Sequence, residues 1–228
     1  MPIVSFPPLE TADEHGLLAL GGDLSPESLV LAYQSGVFPW PINEDYPLAW
    51  FSPDPRGIIE YADRHIPRSL MKTLRKQKFK VSFNQCFEVV IHNCQRVVRK
   101  KQSNTWITKE LLEAYIELHR QGYAYSCEVW DQEGELAGGL YGVCIGSFSS
   151  GESMFHRCNG ASKLAVLATL SNLRDNDVSW LDTQMTTPVV SSLGGREIER
   201  SEFVRRLQSA RNFSIRFPNK TCEWEDFL

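Results

Sequence analysis

A chain of 228 residues, 42% hydrophobic and 23% charged with a net charge of −4, can bury a real core and is long enough for one large domain or two unequal ones. No stretch approaches the roughly 18 unbroken apolar residues of a membrane span, and Met1-Pro2-Ile3-Val4-Ser5-Phe6 lacks the basic start of a signal peptide, so a soluble cytoplasmic protein is expected. The six cysteines, at 86, 94, 127, 144, 158 and 222, form no CxxC pair and no cluster with histidine at ligand spacing, which argues against a zinc site, any other metal or a disulfide framework.

Residues 1–60 are rich in Pro, Gly and aromatic side chains and read as a small N-terminal domain, with 61–228 as the larger one. Ser25 and Pro26 open a short helix by supplying an N-cap and a first-turn proline. Leu29, Ala32 and Tyr33 give it an apolar face, and Gly36 closes it. Prolines at 39, 41, 47, 53 and 55 predict irregular chain as far as about Gly57. Trp40, Trp50 and Phe51 in such a loop serve either as a local core or as a ligand platform.

From Arg64 to Lys80 there are seven lysines or arginines and no acidic residue. Arg68, Lys72, Arg75 and Lys76 fall at i, i+4, i+7 and i+8, which collects them on one helical face. A charged face is usually only solvated. Here it stands against a slightly acidic whole, and marks where a polyanion could sit. Arg96, Arg99, Lys100 and Lys101 make a second basic run, read as a solvated loop.

Thr108 caps a helix whose positions Leu111, Leu112, Tyr115, Ile116 and His119 share one side until Gly122 stops it. Strands are predicted over 124–130 and, after a turn at Gln132-Glu133-Gly134, over 135–148. Gly151 to Phe155 reads as a short strand carrying Glu152, and Asn159 to Leu173 as an amphipathic helix with Leu164, Ala165, Leu167, Ala168 and Leu173 inward. In the strand 178–185 the period of two places Trp180, Asp182 and Gln184 on one face. An acid and an amide there are costly if buried without partners, so the pair is either satisfied structurally or used. A mixed-charge helix over 201–210 and a final strand over 212–217 complete an α+β order with a mixed, α/β-type sheet.

The runs Leu17-Leu18-Ala19-Leu20-Gly21-Gly22-Asp23-Leu24-Ser25-Pro26, Gly36-Val37-Phe38-Pro39-Trp40, Trp50-Phe51-Ser52-Pro53-Asp54-Pro55-Arg56, Thr105-Trp106-Ile107, Gly151 to Phe155, Ala161-Ser162-Lys163, and Asp182-Thr183-Gln184 with Ser192-Leu193-Gly194 behind it carry a resemblance. In this order the chain resembles the bacterial leucyl/phenylalanyl-tRNA–protein transferases. The resemblance implies an acyl-CoA N-acyltransferase type of fold for 61–228. It also implies a cytoplasmic enzyme without cofactor or metal, acting on aminoacyl-tRNA and on acceptor proteins that begin with Arg or Lys. Asp182, Gln184 and Glu152 become the candidate catalytic residues. Trp40, Tyr33, Trp106, Ser153, Met154 and Thr169 become candidates for holding the aminoacyl-adenosine, and Arg68, Lys72, Arg75 and Lys76 for holding tRNA. Two positions depart from the pattern: Val189 stands where a histidine is common, and Thr169 where a phenylalanine helps line the amino-acid pocket. A smaller wall changes pocket volume, and such apolar differences are worth about 1–3 kcal/mol.

An aminoacyl-tRNA is an activated ester, so attack by an α-amine needs no ATP or covalent intermediate. With a pKa of about 7.7–8.0, roughly a tenth of the amine is already neutral at pH 7, and orientation with proton removal is what an enzyme must add. Asp182 is suited to accept the proton, directly or through Gln184, with the tRNA's own ribose hydroxyl as the alternative route; Gln184 is suited to hold the amine or the ester carbonyl, and Glu152 to pair with the acceptor's basic first side chain. Cys158 beside His156 is not read as a nucleophile, since adjacency in sequence is not geometry. Two rivals remain: a CoA-dependent N-acetyltransferase using Arg157 to Ser162 as a pyrophosphate loop, and a non-catalytic module binding tRNA or basic N-termini.

Overall fold

The computed structural model describes residues 2–42, 46–97, 106–210 and 213–228. A small antiparallel sheet of β1 (Leu17–Leu20), β2 (Phe38–Pro39) and β3 (Ala49–Phe51), in the order β1-β3-β2, accompanies helix α1 (Pro26–Gln34). The rest of the chain runs β4 (Arg56–Glu60), α2 (Arg68–Gln77), β5 (Lys80–Phe83), α3 (Phe87–Gln95), α4 (Lys109–Arg120), β6 (Ala124–Trp130), β7 (Leu136–Ile145) and β8 (Phe148–His156). It continues through α5 (Ala161–Asp175), β9 (Trp180–Gln184), α6 (Pro188–Ser192), β10 (Arg196–Ile198), α7 (Arg200–Gln208) and β11 (Cys222–Glu223). Eight strands form one sheet in the order β10-β4-β9-β8-β7-β6-β5-β11, antiparallel except for the parallel pair β8–β9. The α+β class with a mixed sheet is therefore what the chain adopts.

Alternation along the strands builds a core on each face. Tyr125, Cys127, Val129, Ala137 and Leu140 pack with α2 and α5 on one side, while Tyr141, Val143, Phe148 and Phe155 pack with α1, α3, α4 and Phe203 of α7 on the other. Helix α5 is buried along nearly its whole length because the sheet covers one side and α2 and the C-terminal turn cover the rest. Ser25 caps α1 by accepting from the Ser28 amide, and Thr108 caps α4 by accepting from Leu111.

Three expectations need correction. The proline-rich segment is not irregular: β2 and β3 form inside it, because Pro39 ends an edge strand whose outer side needs no donor. The predicted strand over 135–148 is broken by a turn at Gly146, with φ of +59°, and Phe148 already belongs to the next strand. Residues 213–217 form no strand. Phe217 instead packs its ring on Phe83 and Tyr125, and Cys222–Glu223 supplies the edge strand beside β5; Asn212 lies outside the described residues. In the second basic run Arg96 ends α3, while Arg99, Lys100 and Lys101 lie outside the described residues.

Candidate active site

The parallel strands β8 and β9 are in register at Ser150 and Asp182. Each strand then carries a bulge, which bends the chain and re-aims its side chains. Glu152 is the extra residue of the first, since Tyr141 pairs with Ser153 and Gly142 with Gly151. The partner must be glycine: a Cβ on Gly142 would lie 1.9 Å from the Ser150 carbonyl oxygen. Thr183 is the extra residue of the second, between the pairs Ile58–Asp182 and Gly57–Gln184. A Cβ on Gly57 would meet the Met185 carbonyl carbon at 2.6 Å. Gln184 emerges with φ of +62°, a left-handed backbone that costs a non-glycine residue about 1–2 kcal/mol.

Asp182 holds that conformation. Its Oδ1 accepts from the Gln184 amide at 2.9 Å and from Arg56 Nε at 2.9 Å, and its Oδ2 accepts from Arg56 Nη2 at 2.7 Å. Arg56 and Asp182 are 1% and 0% exposed, so this forked pair is fully desolvated. The guanidinium also donates to the Gly36 carbonyl at 3.2 Å and lies over the rings of Phe203 and Phe38, at 4.2 and 4.9 Å. The period of two had Asp182 and Gln184 facing one way, and both do turn toward the α1 and α7 layer despite the bulge.

Glu152 is 9% exposed and Gln184 3%. Gln184 Nε2 donates to both carboxylate oxygens of Glu152, at 2.8 Å each, and Ser150 Oγ donates to Oε1 at 2.6 Å. Burial pushes the Glu152 carboxyl above its ordinary range; hydrogen bonds from Ser150, Gln184 and Tyr33 pull it back, and the charge of Asp182 pushes it up. Tyr33 and Tyr115 stand beside it with their hydroxyl oxygens 2.5 Å apart, and burial with the Glu152 charge drives both phenols well above their usual range, so both stay neutral.

The remaining candidates divide between the two faces. Tyr33, Trp40 and Trp106 lie on the α1 and α4 side, where the two tryptophan rings stack on each other at 4.9 Å and 9°. Met154 packs against the opposite core, where Thr169 lies fully buried on α5 beside the Cys127 thiol. Ser153 is buried behind the bulge. Leu70 and Leu74 anchor α2, leaving Arg68, Lys72, Arg75 and Lys76 exposed together; the first three border a surface cavity of about 360 Å³ with Ile66 and Met71. A second cavity, of about 350 Å³, lies around Trp180, Arg205 and Phe213, and neither is lined by Glu152 or Gln184.

Sequence reasoning missed Arg56, Tyr115 and Ser150 as members of this cluster. Arg56 closed one of the quoted runs, but its partner is 126 residues away. Tyr115 had been read only as an apolar position of α4.

The sequence model described as "Leucyl/phenylalanyl-tRNA protein transferase" matches residues 58–208, and that of its N-terminal domain matches 22–54. The chain belongs to this family. Relatives named leucyl/phenylalanyl-tRNA–protein transferase include one from Flavobacterium johnsoniae, 48% identical over 204 residues that cover 90% of this chain and 95% of the relative. Another, from Pseudomonas fluorescens, is 48% identical over 206 residues covering 90% of each chain, and one from Magnetococcus marinus is 45% identical over 210 residues, 90% of this chain and 88% of the relative. Among solved structures, L-PGS from Bacillus licheniformis aligns over 71% of this transferase-family chain and 51% of its own at a TM-score of 0.40 and 10% identity, a likeness too slight to bear on function. Arg56, Trp106, Glu152, Asp182 and Gln184 all fall in or at the edge of the segments that the transferase family matches; Arg56 lies between its two parts.

Proposed function

We propose that this protein moves leucine or phenylalanine, with methionine as a further donor, from aminoacyl-tRNA to the α-amine of proteins that begin with Arg or Lys, marking them for N-degron (N-end rule) degradation. Family membership supports the reaction, and the Glu152–Gln184 pair supports the site. The amine nitrogen attacks the ester carbonyl carbon. A C–N bond forms, the C–O bond to the terminal ribose breaks, and a proton lost by the amine is balanced by one gained at the ribose oxygen.

A carboxylate only accepts hydrogen bonds, so Gln184 must face Glu152 with its NH2 group and turn Oε1 away. Among the described residues nothing donates to that oxygen, which leaves it to receive an N–H of the incoming amine. Asp182 has both oxygens occupied and acts as a positioning residue for Gln184, not as the first proton acceptor. Of the two carboxylates here only Asp182 is paired with a cation. The net negative charge left on Glu152, in a desolvated setting, favours an acceptor with a cationic first residue.

Trp40 with Trp106 and Tyr33 supports the terminal adenosine, Ser153 borders the amino acid beside Glu152, Met154 and Thr169 back that position from the opposite face of the sheet, and Arg68, Lys72, Arg75 and Lys76 hold tRNA phosphates. The test supplies Leu-, Phe- and Met-charged tRNA with peptides starting in Arg, Lys, Asp or Gly. Labelled product with the Arg and Lys peptides alone is expected. An unmodified Arg-started peptide would show the assignment to be wrong.

A further inference from the structure

We infer that Arg56 is a positioning residue of the transfer reaction: its forked contact holds Asp182, and through Asp182 the left-handed Gln184, in register with the end of α1. The inference rests on the transferase reading above and adds a residue that touches neither substrate nor the reacting atoms.

A guanidinium presents two parallel donors, and Nε and Nη2 each meet a different oxygen of Asp182, at 2.9 and 2.7 Å. That arrangement fixes the carboxylate's rotation as well as its place. The same Oδ1 that receives Nε also receives the Gln184 amide at 2.9 Å, so the orientation of Asp182 sets the direction in which the strand leaves the bulge. Gln184 sits at φ of +62°, a conformation its own backbone disfavours and one that needs such a tether. From there its side chain spans to Glu152 on the neighbouring strand.

The third donor reaches the other way. Arg56 Nη1 bonds the carbonyl of Gly36, which closes the helix that carries Tyr33 against Glu152. The rings of Phe38 and Phe203 pack on the guanidinium, which is 1% exposed. One side chain therefore links β4, β9, the end of α1 and α7. Stability alone is a poor account of such a pair, because the cost of desolvating two charges roughly cancels their attraction. Fixing a geometry is what a forked, buried contact does well.

Arg56→Lys keeps the charge and loses the fork. It should fold, keep the KM for aminoacyl-tRNA within about threefold of the parent, and lose about a hundredfold in kcat through misplacement of Gln184. Adding Asp182→Asn to it should lower kcat no further, because the two residues act as one unit. Parental kcat in Arg56→Lys, or losses that multiply in the double variant, would overturn the inference. Should Arg56→Lys fail to fold, Arg56→Gln with Asp182→Asn leaves no unpaired buried charge. A folded enzyme with kcat still down about a hundredfold supports the positioning role, and parental kcat refutes it. The parent enzyme, assayed alongside, keeps the two readings apart: no turnover in the parent overturns the transferase reading and this inference with it.

Discussion

The side-chain amide of Gln184 donates to both oxygens of the Glu152 carboxylate, 2.8 Å to each, across a junction that joins two strands 32 residues apart. Each residue stands at a bulge or just beyond one, two residues past the paired Ser150 and Asp182, so the two side chains lie next to each other on one face of the parallel pair. In the proposed reaction this junction holds the carboxylate that has no cationic partner among the described residues of the cluster, and its amide oxygen is the one that receives the amine.

Gln184→Gly separates the side chain from the backbone that carries it. Glycine tolerates φ of +62° without the steric cost, while the contact to Glu152 disappears. We expect a folded protein with kcat reduced about a hundredfold or more and little change in the KM for aminoacyl-tRNA. Steady-state kinetics with an Arg-started peptide provide the check. A variant as active as the parent would remove Gln184 from the chemistry.

Burial raises the Glu152 carboxyl, and the sign of its effect on stability follows. A folded-state pKa above the unfolded value contributes stability that is fully present below the unfolded carboxyl pKa, about 4.3, and is lost as pH rises through the folded value. Glu152→Gln cannot ionise. Its Tm relative to the parent should therefore improve steadily from about pH 4 to pH 7. Calorimetry at three pH values in that window decides the matter, and a constant difference would mean that the carboxyl titrates alike in both states.

Gly142 and Gly21 should respond very differently to alanine. A Cβ at Gly142 would lie 1.9 Å from the Ser150 carbonyl oxygen, whereas at Gly21, with φ of +87°, nothing stands within 4 Å. Gly142→Ala must push the bulge open and should cost about 3 kcal/mol or more. Gly21→Ala suffers only its backbone, about 1–2 kcal/mol. Urea unfolding of the two variants should preserve that order, and its reversal would show that the Glu152 bulge does not depend on the missing side chain.

Lys72 and Arg75 project from α2 on the face that borders the cavity of about 360 Å³. If they meet tRNA phosphates, replacing both with alanine should raise the KM for aminoacyl-tRNA and flatten the slope of log affinity against log salt by about 1.4–1.8. Turnover of a minimal aminoacyl-adenosine donor should barely change. Equal damage to that small donor would place the fault in the fold or the catalytic site, and unchanged tRNA affinity at two salt concentrations would leave the face merely solvated.

The amino-acid sequence by itself determined the elements whose signals are local. Helix α4 was legible because Thr108 caps it and Leu111, Leu112, Tyr115 and Ile116 recur on one face, and α5 because its small and branched apolar residues repeat with the helical period. The basic face of α2 was legible for the same reason, and the candidacy of Glu152, Asp182 and Gln184 came from motif resemblance. Helix α3 was missed: its N-cap is Cys86, which makes no side-chain cap, and it is held by packing of Phe87, Val90, Ile91 and Cys94. What only the tertiary structure decided is how the site is assembled. Arg56 meets Asp182 across 126 residues, and Glu152 meets Gln184 through two bulges that no periodicity announces. A buried charge takes whichever opposite charge the fold delivers to it, because leaving it unpaired costs far more than any local preference; the identity of that partner is a property of three-dimensional proximity and is not written in any single stretch of chain.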